Sequence, residues 1–310
     1  MPTDNRDTYP AVMVVVPTHD RPELLRETIA SIIEQDYPGD VEIVVVFDRS
    51  TPDLSLERRT ETRAVRVVEN TRSAGLPGAR NTGIALCGAA EFVAFCDDDD
   101  IWLPGKLVAQ VRHLQDHPYV VLCTTGIVID YDGILSNRPS PSDELTALSL
   151  VHNRTTEAHP STFVFRQAAL ALVGDVDEKI PGGYSEDYDL LLRTAAQGKI
   201  ACLVQPLARV RWGRTSYFAN RWRMIVDAQR YLIGKHPAFT QHPRAEARLR
   251  GQIAFALAAL GDREGALREA WRVVKLFPFE RRWPVAILVA LRFVSAQRAL
   301  ELAHRTGRGI

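Results

Sequence analysis

Four short apolar runs set the terms for this chain: AVMVVVP (11–17), VEIVVVF (41–47), AVRVV (64–68) and EFVAFC (91–96). They are β-branched or aromatic, apolar on both alternating sides, and bounded by polar or proline residues. That is the pattern of strands buried on both faces. Between the first two, RPELLRETIASIIEQ (21–35) places Leu24, Leu25, Ile29, Ile32 and Ile33 on one helical face, with Pro22 in the first turn. Helical spacing returns over 77–88 and 104–117. Strands alternating with helices predict βαβ units, a mainly parallel sheet flanked by helices, and right-handed crossovers.

Further along, a strand is expected at 162–166, an acidic helix start at 185–197 and short strands to about 212. The segment 131–160 is rich in Ser, Pro, Asn and Asp and reads as a long loop. From about 216 onward only helical patterns remain, which divides the chain into an α/β domain (1–215) and an α-helical C-terminal extension (216–310). Within it, AFALAALGDREGALREAWRVVKLFP resembles one tetratricopeptide hairpin, and one hairpin makes no solenoid. A helical cap on the α/β domain is the expectation, with acceptor, partner or membrane contact as its possible tasks.

Net charge is zero and the pI about 7.1, so the whole molecule has no electrostatic pull toward nucleic acid or an anionic membrane. Cys87, Cys96, Cys123 and Cys202 are widely spaced and sit mostly in apolar runs, which predicts free thiols instead of disulfides or a zinc site. The polar N-terminus MPTDNRDTYP has no apolar stretch of the kind a secretion signal needs, and no run of about 18 apolar residues occurs. The expected location is cytoplasmic, with the inner face of the membrane as a secondary possibility through the C-terminal helices.

In an open parallel sheet, ligands bind beyond the carboxyl ends of the strands. Three polar clusters stand there: Thr18-His19-Asp20-Arg21 after the first run, Asp48-Arg49-Ser50 after the second, and Asp97 to Asp100 after the fourth. Carboxylates gathered at one edge repel one another unless a cation joins them. In extended backbone Asp97 and Asp99 would point the same way, as ligands for Mg²⁺ or Mn²⁺ bridging a diphosphate. A solvated acidic turn in which Asp100 caps the next helix is the plainer alternative. The first run lacks G-x-G-x-x-G, which disfavours a dinucleotide-dependent oxidoreductase; no G-x-x-x-x-G-K-[ST] occurs; and Ile101 and Trp102 interrupt any EF-hand loop.

The segments VVVPTHDRPELLRETIASIIEQDYP, VVVFDRS, NTRSAGLPGARNTGI, FVAFCDDDDIWLPGKL and GDVDEKIPGGYSEDYDLLLRTAAQG resemble, in order and spacing, glycosyltransferase family 2 over residues 11 to 215. The resemblance implies a GT-A fold and an inverting, metal-dependent transferase acting on a nucleotide-diphosphate sugar, UDP-linked by expectation. It places Pro17, Thr18, Asp20 and Asp48 at the nucleotide and Arg80 near its phosphates. Asp97 and Asp98 lie toward ribose and metal-bound water, and Asp99 with Asp97 on the metal. In SEDYD (185–189), Asp187 becomes the candidate base that takes the acceptor hydroxyl proton, and Glu186 an acceptor-orienting residue. Favourable placement of acidic residues in a first helical turn would explain both without catalysis. Trp102 and His159 are candidates for the sugar or acceptor pocket. Many relatives carry a histidine after the last core strand; here VRVRWGRTSYF has none, so either Arg211 or Arg214 contacts the diphosphate instead or the metal has fewer ligands than usual. Phe47 also stands where a second aspartate is common.

Two other classes compete. A nucleotidyltransferase shares carboxylate-bound metal on a related sheet but usually has a glycine-rich basic turn after the first strand, absent in PTHDR. An inactive scaffold would act through its tail, where Arg281, Arg282, Arg292 and Arg298 mix with Trp283, Ile287, Leu288, Leu291 and Phe293.

Overall fold

A computed structural model describes residues 9–212 and 221–305. The chain divides into two compact units: Met1–Leu150, Thr155–Glu178 and Glu186–Arg214 form the first, and Val151–Arg154, Lys179–Ser185 and Thr215–Ile310 the second.

The first unit is a mixed α/β sheet with flanking helices. Its strands are β1 (Val12–Thr18), β2 (Val41–Phe47), β3 (Arg58–Arg59), β4 (Arg63–Glu69), β5 (Phe92–Phe95), β6 (Ile101–Trp102), β7 (Val120–Tyr131), β8 (Ile134–Arg138), β9 (Glu144–Leu145), β10 (Val164–Arg166) and β11 (Lys199–Arg211). They run in the order β3-β4-β2-β1-β5-β10-β7-β11-β6, with β8 beside β7 and β9 beside β11. The four runs read as buried strands are β1, β2, β4 and β5, mutually parallel as expected. Every residue of β1 is buried because it lies between β2 and β5 with apolar layers above and below.

Beyond β5 the sheet departs from the parallel plan. The short β10 runs antiparallel to both β5 and β7, while β7 and β11 are again parallel. A single three-residue strand carries no periodicity from which direction could be read. The segment 131–160 is also more ordered than a loop: β8 completes a hairpin with β7 through Asp132-Gly133, both at positive φ, and β9 and a short helix follow.

The helices are α1 (Pro22–Ile33), α2 (Leu76–Ile84), α3 (Lys106–Asp116), α4 (Ala147–His152), α5 (Gln167–Val173) and α6 (Glu186–Gln197). Helix α2 lies close on β1: a Cβ at Gly83 would stand 2.4 Å from Val15, so only glycine permits this approach. One core, including Val14, Val16, Ile29, Val45, Phe92, Leu107 and Trp102, joins the sheet to its helices.

The second unit contains α7 (Trp222–Lys235), α8 (Pro237–Gln241), α9 (Pro243–Ala259), α10 (Arg263–Leu276), α11 (Arg282–Ala290) and α12 (Ala296–Arg305). Ala254, Ala258, Ala266, Ala270 and Ala286 are buried, small enough to let the helices pack closely around Val226, Ile253 and Phe255. Gly261 at φ 81° turns the chain between α9 and α10, and Asp262 caps α10 by accepting from the Gly265 N–H at 2.9 Å. No helix among the described residues is long and apolar enough to cross a membrane.

Candidate active site

The carboxyl ends of β1, β2 and β5 bring the three polar clusters together. Thr18, the last residue of β1, donates its hydroxyl to Asp98 at 2.8 Å, and the His19 N–H reaches the same oxygen at 3.3 Å. The His19 ring contacts the Asp48 carbonyl at 2.7 Å, which ties the β1 edge to the β2 edge. Arg21 donates to Asp98 at 3.2 Å and to Asp99 at 2.5 Å. One guanidinium therefore holds two of the four aspartates. Asp20, by contrast, points outward, its side chain 72% exposed and 3.8 Å from His19.

The four aspartates do not lie in extended backbone. They form a turn in which the Asp100 N–H meets the Asp97 carbonyl at 3.2 Å. The expectation that Asp97 and Asp99 point one way is therefore corrected: Asp97 turns to Arg80, and Asp99 to Arg21. Nor does Asp100 cap α3, which starts after Gly105. It is 1% exposed, accepting from the Ser161 hydroxyl at 2.5 Å and the Arg211 N–H at 3.2 Å. The oxygen that accepts from Ser161 also lies 3.3 Å from the His159 ring. Asp97, Asp100 and His159 each offer one ligand atom, all within 4.8 Å of one another.

Burial and the repulsion of Asp99 and Asp97 push the Asp100 carboxyl well above its usual range. Burial likewise lifts Asp99 to about 6, against the pull of Arg21. Burial also raises Asp98, with the Thr18 hydroxyl and Arg21 working the other way. The His159 imidazole is held below its ordinary value by burial, although Asp97, Asp187 and Asp99 all favour its charged form. Neutral imidazole keeps a lone pair for a ligand.

Asp48 anchors the path to α2. Its oxygens accept from the Gly75 N–H (3.0 Å to each), from Asn70 at 2.8 Å and from Arg49 at 2.9 Å. Burial pushes this carboxyl up, but those hydrogen bonds outweigh it and leave it below its ordinary value. Gly75 takes φ 114°, a left-handed start that launches α2. Arg80 then enters the site from that helix. It is 1% exposed and donates to Asp97 at 2.5 Å and to Glu186. Arg80 was expected at the phosphates and Glu186 at the acceptor. In the structure each side chain is buried against the other, Glu186 at 4% exposure.

Glu186 and Asp187 open α6, directly after Ser185 at φ 68°. Asp20, Arg49 and Ser185, three of the five non-glycine residues at positive φ, thus adjoin the site, where strained backbone tends to collect. Asp187 is largely buried, and its charge acts on His159 together with Asp97, Asp99 and Arg80.

The remaining predicted residues fall as follows. Pro17 is buried within β1 and exposes no side chain to a nucleotide. Trp102 is 2% exposed, its indole N–H on the Ser161 carbonyl at 2.9 Å and Lys106 Nζ 3.9 Å from its ring centroid. This is a core residue with no free face for a sugar. The Arg211 guanidinium turns to Glu27, away from the role expected at the diphosphate. Arg214 lies outside the described residues. Sequence reasoning missed Arg21, Asp100 as a possible ligand, and Ser161, which joins the Asp97 N–H (3.0 Å) to Asp100. Arg21 lay inside a flagged polar cluster; Ser161, in AHPST, carried no signal.

The profile described as "Glycosyl transferase family 2" matches residues 13–173. The amylovoran biosynthesis glycosyltransferase AmsE of Erwinia amylovora is 28% identical over 234 residues, covering 72% of this chain and 84% of that protein. Among solved structures, S. aureus TarS residues 1–349 in complex with UDP-GlcNAc has a TM-score of 0.60 at 16% identity, covering 96% of this chain and 92% of the other. The mannosyltransferase PcManGT from Pyrobaculum calidifontis, in complex with GDP-Man and Mn²⁺, has a TM-score of 0.56 at 20% identity, covering 94% and 86%. These structures share the fold, that of the GT-A glycosyltransferases. The chain is a glycosyltransferase and belongs to glycosyl transferase family 2.

Proposed function

We propose that this enzyme is a metal-dependent, inverting glycosyltransferase that moves a sugar from a UDP-sugar to an acceptor hydroxyl in glycan, cell-envelope or other glycoconjugate synthesis. In this reading residues 1–215 are the catalytic domain, 216–310 the helical region, and the enzyme works in the cytoplasm. Four buried, free cysteines fit a reducing compartment. The UDP-GlcNAc complex of TarS and the role of AmsE in amylovoran biosynthesis support the donor and pathway class.

One observation carries the proposal: the buried Arg80 guanidinium joins Asp97 of the aspartate turn to Glu186 at the acidic start of α6, beside the convergence of Asp97, Asp100 and His159 within 4.8 Å. Asp187 is the base. Its carboxylate takes the proton as the acceptor oxygen bonds to the anomeric carbon, and the bond from that carbon to the diphosphate breaks on the opposite side, with inversion. Glu186 positions the turn through Arg80 instead of touching the acceptor. Asp48 serves the base edge of the nucleotide only if that edge takes the place of Arg49, since its other acceptor positions are filled by Asn70 and Gly75.

The donor set fits Mg²⁺ or Mn²⁺. Two carboxylates and an imidazole converge within 4.8 Å, and the carboxylates' mutual repulsion favours a cation among them. Asp97, Asp100 and His159 would hold it, and Asp99 joins only by giving up Arg21. When bound, such an ion would supply positive charge against the departing diphosphate.

The test is turnover with a panel of nucleotide sugars, with and without Mn²⁺. Metal-dependent release of nucleoside diphosphate is expected. Release of pyrophosphate would make the enzyme a nucleotidyltransferase instead, and failure of every donor to stabilise the protein would favour an inactive scaffold.

A further inference from the structure

The zero net charge of the chain conceals a division. Residues 1–215 hold 21 Lys and Arg against 31 Asp and Glu, whereas residues 216–310 hold 17 against 7. The two parts therefore carry about −10 and +10, and opposite poles on one chain mean that the helical part has an electrostatic partner preference of its own. Of its acids, Glu246, Glu264, Glu269 and Glu280 are already paired with arginines and Asp262 caps α10, so these are committed within the helical part.

The end of α11 adds an apolar element to this charge. The Phe293 N–H bonds the Leu288 carbonyl at 2.9 Å and the Arg292 N–H bonds the Val289 carbonyl at 2.9 Å, with Arg292 at φ 63°. This double bond pattern ends a helix with its two flanking apolar residues side by side. In most helices that pair packs inward. Here Leu288 is 43% and Phe293 74% exposed, so the knob stands in solvent. Arg281 and Arg292, at the two ends of α11, and Arg298 on α12 are exposed too, and none of the three forms an ion pair among the described residues. On α12, Leu302 is 61% exposed one helical turn beyond Arg298 and on the same side.

We propose that this helical unit docks on an anionic lipid bilayer. The Leu288–Phe293 knob enters the headgroup layer, and Arg281, Arg292 and Arg298 bind lipid phosphates. The combination of exposed aliphatic and aromatic side chains with exposed arginines is what such a surface recognises. A polynucleotide would satisfy the arginines but offers no apolar layer for Leu288 and Leu302. The acidic part of a second copy would likewise leave the knob in water. The inference does not depend on the transfer chemistry and can fail without it.

The experiment is co-flotation of the full chain with vesicles of phosphatidylcholine alone and of phosphatidylcholine with about one third phosphatidylglycerol. At low salt, at least about tenfold more protein should float with the anionic vesicles, since each basic residue at the surface contributes roughly fivefold. Raising the salt to about 0.5 M should release it. Arg292→Glu with Arg298→Glu, and separately Leu288→Ser with Phe293→Ser, should each lower flotation about tenfold while leaving the melting temperature and sugar transfer to a soluble acceptor unchanged. Equal flotation with neutral vesicles, no flotation with either, or unaltered binding by both variants overturns the proposal. So does association with a polynucleotide or a second copy in place of the vesicles.

Discussion

The Arg80 guanidinium bridges Glu186 and Asp97, two carboxylates 89 residues apart in sequence, and it does so from within the protein, at 1% exposure. This strut fixes the start of α6 against the aspartate turn, and hence Asp187 relative to His159. It also has an unpaired Nε among the described residues, 5.7 Å from Phe95 at the guanidinium carbon, so its orientation is set by the two carboxylates and the ring.

Removing the strut should be costly. Arg80→Met leaves Glu186 and Asp97 buried and uncompensated, and the expected loss is about 3–5 kcal/mol. Denaturant unfolding of the full chain measures it. A loss below about 1 kcal/mol would mean that the carboxylates simply take up protons or water.

For Asp187→Asn the expectation is intact donor binding with turnover reduced by roughly 10²- to 10⁴-fold. Isothermal titration with UDP-sugar and a diphosphate-release assay separate the two properties. Normal turnover would remove Asp187 from the role of base.

Arg21 holds Asp98 and Asp99 where a metal's charge would also be attracted. Arg21→Gln should therefore tighten Mn²⁺ binding to the nucleotide-free protein by roughly tenfold, because one competing positive charge is gone. Calorimetric Mn²⁺ titration in the absence of donor reads this directly; unchanged or weaker binding would show that Arg21 and the ion do not compete.

Lys106 gives a pH-dependent prediction. It is fully buried, its ammonium has no hydrogen-bond partner among the described residues, and burial lowers its pKa to about 7 from an ordinary 10.5. Between those values the unfolded chain binds a proton that the folded one does not, so stability rises with pH across that window and the penalty is full below about 7. Lys106→Met should thus be more stable than the native chain at pH 7, with the advantage shrinking by on the order of 1 kcal/mol per pH unit toward pH 10. Paired melting curves at pH 7, 8.5 and 10 test it. A constant difference would mean that the Trp102 ring and its surroundings stabilise the ammonium as well as water does.

Much of this was legible in the sequence. Strands β1, β2, β4 and β5 announce themselves because burial on both faces demands unbroken apolar runs, and α1 because a half-buried helix must repeat every 3.6 residues. The sheet-edge clusters followed from the ends of those runs. Lys106 could also have been found: it shares its face of α3 with Leu107, Gln110, Val111 and Leu114, all buried. The direction of β10 could not, since three residues have no period. The aspartate turn was misread for a related reason: alternation of side chains assumes a strand, and the strand ends at Phe95.

By itself, then, the sequence settled the α/β class, the family and the edge at which the carboxylates gather, because burial and strand polarity are local and leave a regular trace. Which group holds which was decided only by the tertiary structure. Arg80 on Asp97 and Glu186, Arg21 on Asp98 and Asp99, and His159 beside Asp100 are pairings between charges far apart in the chain. A charge in water has no fixed partner; it acquires one only when folding removes the water and leaves a single neighbour within reach.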